Sequence, residues 1–207
     1  MHNKNITAAG KNLPDAKKAL VMVHGRGGSA RDILSLATHL DVKDFALLAP
    51  QASNNSWYPL SFLSPLADNE PWLSDALRAL TDTVADIEKS GIAKDHIYLL
   101  GFSQGACLSL EFVARNAARY GGVVAFTGGL IGDKIHPENY SGNFAGTPVF
   151  IGSSNPDPHV PAARVYATTN ILKSMGATVT EKIYENMGHT INQDEIEMAN
   201  KLVFHRN

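Results

Sequence analysis

Residues 99–106, which read LLGFSQGA, are the most informative part of this chain. The run before the serine, IYLL at residues 97–100, is apolar in the manner of a fully buried strand, and a helical apolar pattern begins at Gln104. The turn between them is GFSQG, whose glycines allow the strand and the helix to pass close together on either side of Ser103. The sequence therefore predicts a strand–turn–helix unit that presents the Ser103 hydroxyl at the carboxyl end of the strand.

This turn also has the chemistry of an activated nucleophile. The backbone N–H of Gln104 is predicted at a helix N-terminus beside the Ser103 hydroxyl, where an amide can stabilise an oxyanion. The pattern GxSxG also occurs by chance as a plain turn. A buried strand before it and an apolar helix after it are the context that a nucleophile requires. Ser103 is therefore the candidate nucleophile, and the Gln104 amide is a candidate oxyanion donor.

Composition favours one domain over residues 1–207 and excludes several functional classes. The chain has 207 residues and 44% hydrophobic content, which is enough for the core of one α/β domain. Its 18 basic and 20 acidic residues give a net charge of -2 without charge blocks, which argues against nucleic-acid binding. The single cysteine, Cys107, cannot form an internal disulfide, and no Cys/His pattern indicates a metal site.

The first residues indicate where the protein acts. Residues 1–12 are polar and lack the apolar core of a secretory signal. No apolar run approaches the roughly 18 residues that a membrane span needs. We therefore expect a cytoplasmic protein without stable membrane insertion.

Short apolar runs bounded by turn residues predict buried strands at residues 19–23, 45–49, 97–100, 123–126 and 148–151. Alternating polar and apolar residues at 179–184 predict an edge strand, and residues 6–9 fit a short strand or hairpin. Apolar helical patterns lie between these runs, and strands that alternate with helices are typical of a mostly parallel sheet covered on both faces.

Local signals mark where several helices begin. Ser29 with Asp32, and Asn192 with Glu195, are capping-box pairs. The amphipathic pattern over residues 73–87 predicts a helix capped near Asn69, with a proline in its first turn.

A glycine-rich loop, HGRGG at residues 24–28, follows the strand at residues 19–23. It lacks the Lys and Ser/Thr of a P-loop and the GxGxxG spacing, so a phosphate cradle is disfavoured. The better interpretation is a second oxyanion donor, the backbone N–H of Arg26, with a purely structural turn as the alternative.

Residues 51–70 show neither the helical nor the strand periodicity of apolar residues, yet they contain large apolar side chains. A loop of this length inside a compact domain is usually functional. Trp57, Tyr58 and Phe62 are therefore candidate substrate-binding residues. The loop fits a lid, a pocket wall, ordinary packing or an interface between two copies of the chain, so a homodimer is a possible assembly.

Three candidate catalytic groups follow predicted strands in the order Ser103, Asp157, His189. The carboxyl ends of parallel strands meet at one edge of a sheet, and this order is that of the α/β-hydrolases. A serine hydroxyl needs a base to take its proton, and an acid then orients and stabilises the histidine. Asp133 is the alternative acid. His159 is the competing base nearest a strand end, but it lies two residues from Asp157 and before a helix.

The chain resembles the phospholipase/carboxylesterase family of α/β-hydrolases, which includes the acyl-protein thioesterases. The resemblance rests on four motifs, namely HGRG at 24–27, GFSQG at 101–105, DPHVP at 157–161 and GH at 188–189. It implies an α/β-hydrolase fold without a large cap domain. It also implies Ser103 as nucleophile, Asp157 and His189 as its partners, and hydrolysis of a small carboxylic ester or thioester with no cofactor.

Arg26 departs from the family pattern, because thioesterase-type members carry an apolar residue there. A guanidinium near the pocket mouth would favour a polar or anionic substrate, or it would pair with Asp32. Small acyl esters and lysophospholipid-like molecules are the expected substrates. A ligand-binding protein on a hydrolase fold and an acyltransferase are the alternatives.

Overall fold

The computed structural model describes residue 2 and residues 5–205. Its central element is a seven-stranded sheet in the order β1-β3-β2-β4-β5-β6-β7. The strands are β1 Ile6–Gly10, β2 Lys18–Val23, β3 Phe45–Pro50, β4 Ile97–Phe102, β5 Gly122–Phe126, β6 Pro148–Asn155 and β7 Thr178–Glu185. Only β1 pairs antiparallel, with β3, and every other neighbour pair is parallel. The predicted mostly parallel sheet is confirmed.

Among the described residues, four α-helices occupy connections between parallel strands, as α1 Ala30–Ser35, α2 Trp72–Lys89, α3 Gln104–Arg115 and α4 Ala162–Ser174, and α5 Gln193–Ala199 follows β7. Both predicted capping boxes are formed. The side chain of Ser29 accepts from the amide of Asp32, and that of Asn192 accepts from the amide of Glu195. These pairs satisfy amides that the first turn of a helix leaves without a partner.

The α-helical part of α1 ends at Ser35, and Leu36–His39 continue as a 3₁₀ turn. The predicted cap of the second helix is wrong. Helix α2 begins at Trp72 with Pro71 as its N-cap, so Asn69 does not cap it. The Asn69 amide instead accepts from the N–H of Leu60 and donates to the carbonyl of Ser61, which ties the preceding loop together.

The core lies on both faces of the sheet. Alternate residues of β2 enter different apolar clusters, with Val21 and Val23 on the face of α2, α3 and α4, and Leu20 and Met22 on the face of α1 and α5. Each of these four side chains is fully buried. This two-sided burial explains why the strand reads as a continuous apolar run rather than an alternating one.

The parallel strands place the predicted site residues at one edge. The glycine-rich loop follows β2, Ser103 follows β4, Asp157 follows β6 and His189 follows β7. Over the described part of the chain, no helix combines the length and apolarity needed to cross a bilayer.

Candidate active site

Ser103 occupies a strained turn between β4 and α3. Its backbone has φ 54° and ψ −118°, a conformation that costs a non-glycine residue about 1–3 kcal/mol. Its N–H donates to the carbonyl of Phe126 at 2.9 Å. A Cβ on Gly101 would lie 2.3 Å from the carbonyl oxygen of Gly105, and a Cβ on Gly105 would lie 2.1 Å from that of Val23. Only glycine fits at both positions, which confirms the predicted close passage of strand and helix.

The structure brings Ser103, His189 and Asp157 into one hydrogen-bonded chain. The Oγ of Ser103 lies 2.8 Å from Nε2 of His189, and Nδ1 of His189 lies 2.9 Å from Oδ2 of Asp157. The Asp157 side chain is fully buried, whereas 20% of the His189 side chain is exposed. An ionised Asp157 places the imidazole proton on Nδ1, which leaves Nε2 free to accept the Ser103 proton.

Hydrogen bonds keep Asp157 ionised despite its burial. Burial alone would raise the pKa of this carboxyl, but the amides of His159 and Val160 and the ring of His189 outweigh that effect and lower it. Both amides donate to Oδ1 at 2.8 Å, while Oδ2 faces His189. The negative charge is therefore available to stabilise a positive imidazole.

The turn that carries His189 is attached to β6. The N–H of Gly188 donates to Oγ of Ser154 at 3.0 Å, and the N–H of Asn186 donates to the carbonyl of Asn155 at 3.0 Å. Sequence reasoning missed this role of Ser154. The polar SSN sequence that ends β6, directly after an apolar run, is the signal that was available.

Two backbone amides beside Ser103 have no hydrogen-bond partner within residues 5–205, those of Arg26 and Gln104. Gln104 is the first residue of α3, where helical amides are unpaired. The loop of Arg26 contacts the serine, since a Cβ on Gly25 would lie 3.4 Å from the Cβ of Ser103. Both amides are thus suited to an oxyanion.

The side chain of Arg26 binds the opposite wall of the site. Its Nη1 donates to the carbonyl of Pro59 at 2.7 Å and its Nη2 to that of Leu60 at 2.6 Å. The ion pair with Asp32 is not formed, because Oδ2 of Asp32 accepts from the N–H and hydroxyl of Ser29, each at 2.7 Å. The departure from the family pattern thus ties the glycine-rich loop to the loop of residues 51–70.

The side chain of Gln104 binds the backbone of the loop of residues 51–70. Its Oε1 accepts from the N–H of Trp57 at 2.9 Å, and its Nε2 donates to the carbonyl of Tyr58 at 2.8 Å. The indole N–H of Trp57 donates to the backbone carbonyl of His24. The centroids of the Trp57 and His24 rings lie 5.1 Å apart. Trp57 is completely buried and packs beneath the site rather than facing substrate.

His24 is a structural residue of the glycine-rich loop. Its Nδ1 donates to the carbonyl of Gly25 at 2.8 Å, and its Nε2 accepts from the N–H of Ala52 at 3.1 Å. Burial lowers the pKa of His24 and keeps the ring neutral, which suits a nitrogen that accepts a hydrogen bond.

An open cleft of about 560 Å³ lies beside Ser103. Its apolar lining includes Tyr58, Leu60, Phe62, Leu63, Phe102 and Val160. The structure therefore brings Tyr58 and Phe62 to the cleft and leaves Trp57 out of its lining. Cys107 also borders the cleft, but burial raises the pKa of its thiol to about 12, so it is not a competing nucleophile.

The alternative site residues have other positions. Asp133 is exposed and lies 3.2 Å from Nε2 of His136, away from Ser103. His159 contacts His189 edge to face but has no hydrogen bond to Ser103. Among the residues that the structure describes, no group of three or more His, Cys, Asp or Glu side chains is arranged so that it could hold a metal ion.

Comparison with known proteins gives consistent matches over nearly the whole chain. The family model described as phospholipase/carboxylesterase matches residues 4–205. The crystal structure of a phospholipase/carboxylesterase from Dyadobacter fermentans superposes with a TM-score of 0.97 at 51% identity, over 98% of this chain and 97% of that one. Esterase PE8 superposes with a TM-score of 0.79 at 25% identity, over 94% and 95% of the two chains. These superpositions confirm the predicted fold.

Sequence relatives are more distant. Acyl-protein thioesterase 1 of Saccharomyces cerevisiae is 26% identical, over 89% of this chain and 91% of its own. A probable SOBER1-like carboxylesterase of Arabidopsis thaliana is 25% identical, over 88% of this chain and 76% of its own.

Proposed function

Because the chain belongs to the phospholipase/carboxylesterase family of α/β-hydrolases, we propose that it hydrolyses carboxylic esters or thioesters through an acyl-enzyme on Ser103. That it is a carboxylesterase-type enzyme follows from the family and its named members. The proposal adds the identity of the catalytic residues and the class of substrate. The observation that carries it is the hydrogen-bonded chain from Ser103 through His189 to Asp157, with contacts of 2.8 and 2.9 Å.

In the acylation step, Oγ of Ser103 attacks the acyl carbonyl while Nε2 of His189 takes the serine proton. The carbonyl oxygen gains the negative charge, and the amides of Arg26 and Gln104 donate to it. Asp157 stabilises the positive charge on His189. The imidazolium then gives its proton to the departing oxygen or sulfur as the bond between that atom and the acyl carbon breaks, so the alcohol or thiol leaves.

In the deacylation step, His189 takes a proton from water, and the resulting nucleophile attacks the acyl carbon on Ser103. The same two amides hold the second oxyanion. His189 returns the proton to Oγ, so serine is regenerated and a carboxylic acid is released. The step consumes one water and needs no other reactant.

The cleft supports small acyl esters or lysophospholipid-like molecules as substrates. Its lining is mostly apolar, and its volume of about 560 Å³ is in the range of small-molecule sites. Tyr58 and Phe62 border the cleft with largely buried rings, and Leu60 adds exposed apolar surface against which an acyl chain can pack. Hydrophobic contact of this kind selects substrates by the length and shape of their acyl chains.

The test is a panel of p-nitrophenyl esters, from acetyl to palmitoyl, with the wild type and Ser103→Ala. We expect Ser103→Ala to lose at least ~10³-fold in kcat with its thermal unfolding midpoint retained. Ser109→Ala is the matched control, because Ser109 lies in α3, which begins directly after Ser103, and is absent from the cleft lining. Unchanged turnover in Ser103→Ala would contradict the mechanism.

Two further measurements separate the alternatives. A fluorophosphonate probe should label the wild type and spare Ser103→Ala, whereas a binding protein without an activated serine would stay unlabelled. Product analysis with added alcohols should give mainly the free acid, and mainly transferred ester would indicate an acyltransferase.

A further inference from the structure

A second imidazole borders the catalytic histidine. The ring of His159 lies 4.9 Å from that of His189, with an interplanar angle of 81°. His159 is exposed and lines the cleft. In the described part of the chain neither of its ring nitrogens has a hydrogen-bond partner. It is therefore a polar group that the hydrogen bonds among Ser103, His189 and Asp157 do not use.

The backbone that carries this imidazole is restrained. The N–H of His159 donates to Oδ1 of Asp157 at 2.8 Å. Prolines at 158 and 161 restrict the backbone on either side. Little backbone freedom is therefore lost when the His159 side chain binds a ligand.

The reaction indicates which part of the substrate meets His159. His189 must protonate the leaving-group oxygen, so the alcohol portion of an ester has to pass within reach of its Nε2. The oxyanion amides belong to other segments, at Arg26 and Gln104. His159 borders His189 and so lies beside the path of the alcohol portion.

We propose that His159 is a specificity-determining residue whose imidazole hydrogen-bonds to a hydroxyl on the alcohol portion of the substrate. This inference rests on the proposed function. A neutral imidazole offers one N–H donor and one nitrogen acceptor, which matches a hydroxyl that both donates and accepts. The neighbouring Asp157 carboxylate disfavours an anionic alcohol at this position. The substrate class is therefore an ester of a diol or polyol, with a hydroxyl close to the ester oxygen.

The test compares 2-hydroxyethyl butyrate with propyl butyrate, which share the acyl group and differ by a hydroxyl in place of a methyl group. We expect the wild type to prefer the hydroxyethyl ester by roughly 3–10-fold in kcat/KM, the size of one hydrogen bond. His159→Phe keeps a flat ring beside His189 but removes both nitrogens, so this preference should disappear. His96→Phe is the matched control. His96 directly precedes β4 and so lies at the amino end of that strand, whereas the site lies at the carboxyl ends of the strands.

Each outcome decides the inference. An equal preference in the wild type and His159→Phe, or none in the wild type, would overturn it. If His159→Phe does not fold, His159→Leu provides the same comparison. Normal turnover of both esters without a preference contradicts only this inference. Absence of any Ser103-dependent ester turnover in the wild type contradicts the proposed function, and the inference with it.

Discussion

A carboxylate buried beside a histidine has to be stabilised by hydrogen bonds, and at Asp157 two backbone amides provide them. The amides of His159 and Val160 occupy Oδ1, so Oδ2 alone faces His189. Rotation of the side chain is disfavoured, because it would break both of these hydrogen bonds. The orientation of His189 thus depends on backbone that lies directly after Asp157 in the chain.

This arrangement makes Asp157→Asn a sharp test of the acid. The amide has the same shape but carries no charge, and its NH₂ group would favour the wrong tautomer of His189. We expect kcat for p-nitrophenyl butyrate to fall roughly 10³–10⁴-fold. Asp133→Asn removes the exposed alternative acid and should leave kcat unchanged. A loss in Asp157→Asn of less than about tenfold would contradict the assigned role.

Arg26 combines two separate functions in one residue. Its proposed oxyanion donor is the backbone amide, whereas its guanidinium donates to the carbonyls of Pro59 and Leu60. A planar guanidinium can bind two carbonyls at once, which a lysine ammonium does less well. The side chain therefore couples the position of the proposed oxyanion donor to the wall of the cleft.

At the scale of elements, α5 places a buried carboxyl against β6. Glu195 is completely buried, and its Oε2 accepts from the amide of Asn192. Its Oε1 has no partner among the described residues, and a Cβ on Gly152 would lie 2.2 Å from it. Burial raises the pKa of Glu195 to about 7. The cap that starts α5 thus includes a carboxyl that stays protonated in the folded protein up to a pH of about 7.

The raised pKa of Glu195 predicts how the stability of the fold changes with pH. The unfolded carboxyl has its ordinary pKa near 4.5, so the folded state binds more protons between there and about 7. Its stabilising contribution is complete at low pH and is lost as the pH rises through that interval. We expect Glu195→Gln to raise the unfolding midpoint by a few degrees, on the order of 2–4 °C, near pH 8, with little gain near pH 4.5.

Glu197→Gln, at an exposed position of the same helix, is the control for this measurement. Differential scanning fluorimetry across the pH range gives the comparison. An equal shift of the midpoint at every pH would show that burial of a charge at Glu195 is not the cause.

At the scale of the whole molecule, one sheet supports apolar clusters on both of its faces. Because strands such as β2 contribute to both clusters, neither side can unfold alone without exposing the other. The single domain inferred from the sequence therefore predicts one cooperative unfolding transition in calorimetry. Its heat-capacity increment should be roughly 2.5–3 kcal/mol/K for 207 residues. Two resolved transitions would contradict a single domain.

The homodimer that the sequence suggests stays a prediction. The loop that could supply its interface buries Trp57, Tyr58 and Phe62, while Leu60 is 46% exposed. Light scattering at several protein concentrations measures the assembly directly.

Local signals allowed much of this fold to be predicted. The glycines around Ser103 and the capping pairs at Ser29 and Asn192 act within a few residues, so their outcome depends little on the rest of the chain. The assembly of Ser103, Asp157 and His189 was predictable because parallel strands must end at one edge.

Features that depend on distant partners were not predictable. Arg26 binds carbonyls 33 and 34 residues away, and no spacing rule distinguishes them from the nearby Asp32. Trp57 belongs to an apolar loop whose side chains divide between the cleft and the core, and sequence periodicity does not separate the two. The position of Asn69 likewise follows from its bonds to Leu60 and Ser61 rather than from helix capping.

The position of β7 at the sheet edge has a consequence for biosynthesis. Ser103 and the Arg26 amide lie in the first half of the chain and the Gln104 amide directly follows, whereas His189 follows the last strand of the sheet, which pairs with β6 alone. A ribosome-bound chain that ends before His189 carries the proposed nucleophile without its proposed base. In the proposed mechanism, ester hydrolysis therefore begins only after the final strand has emerged and docked.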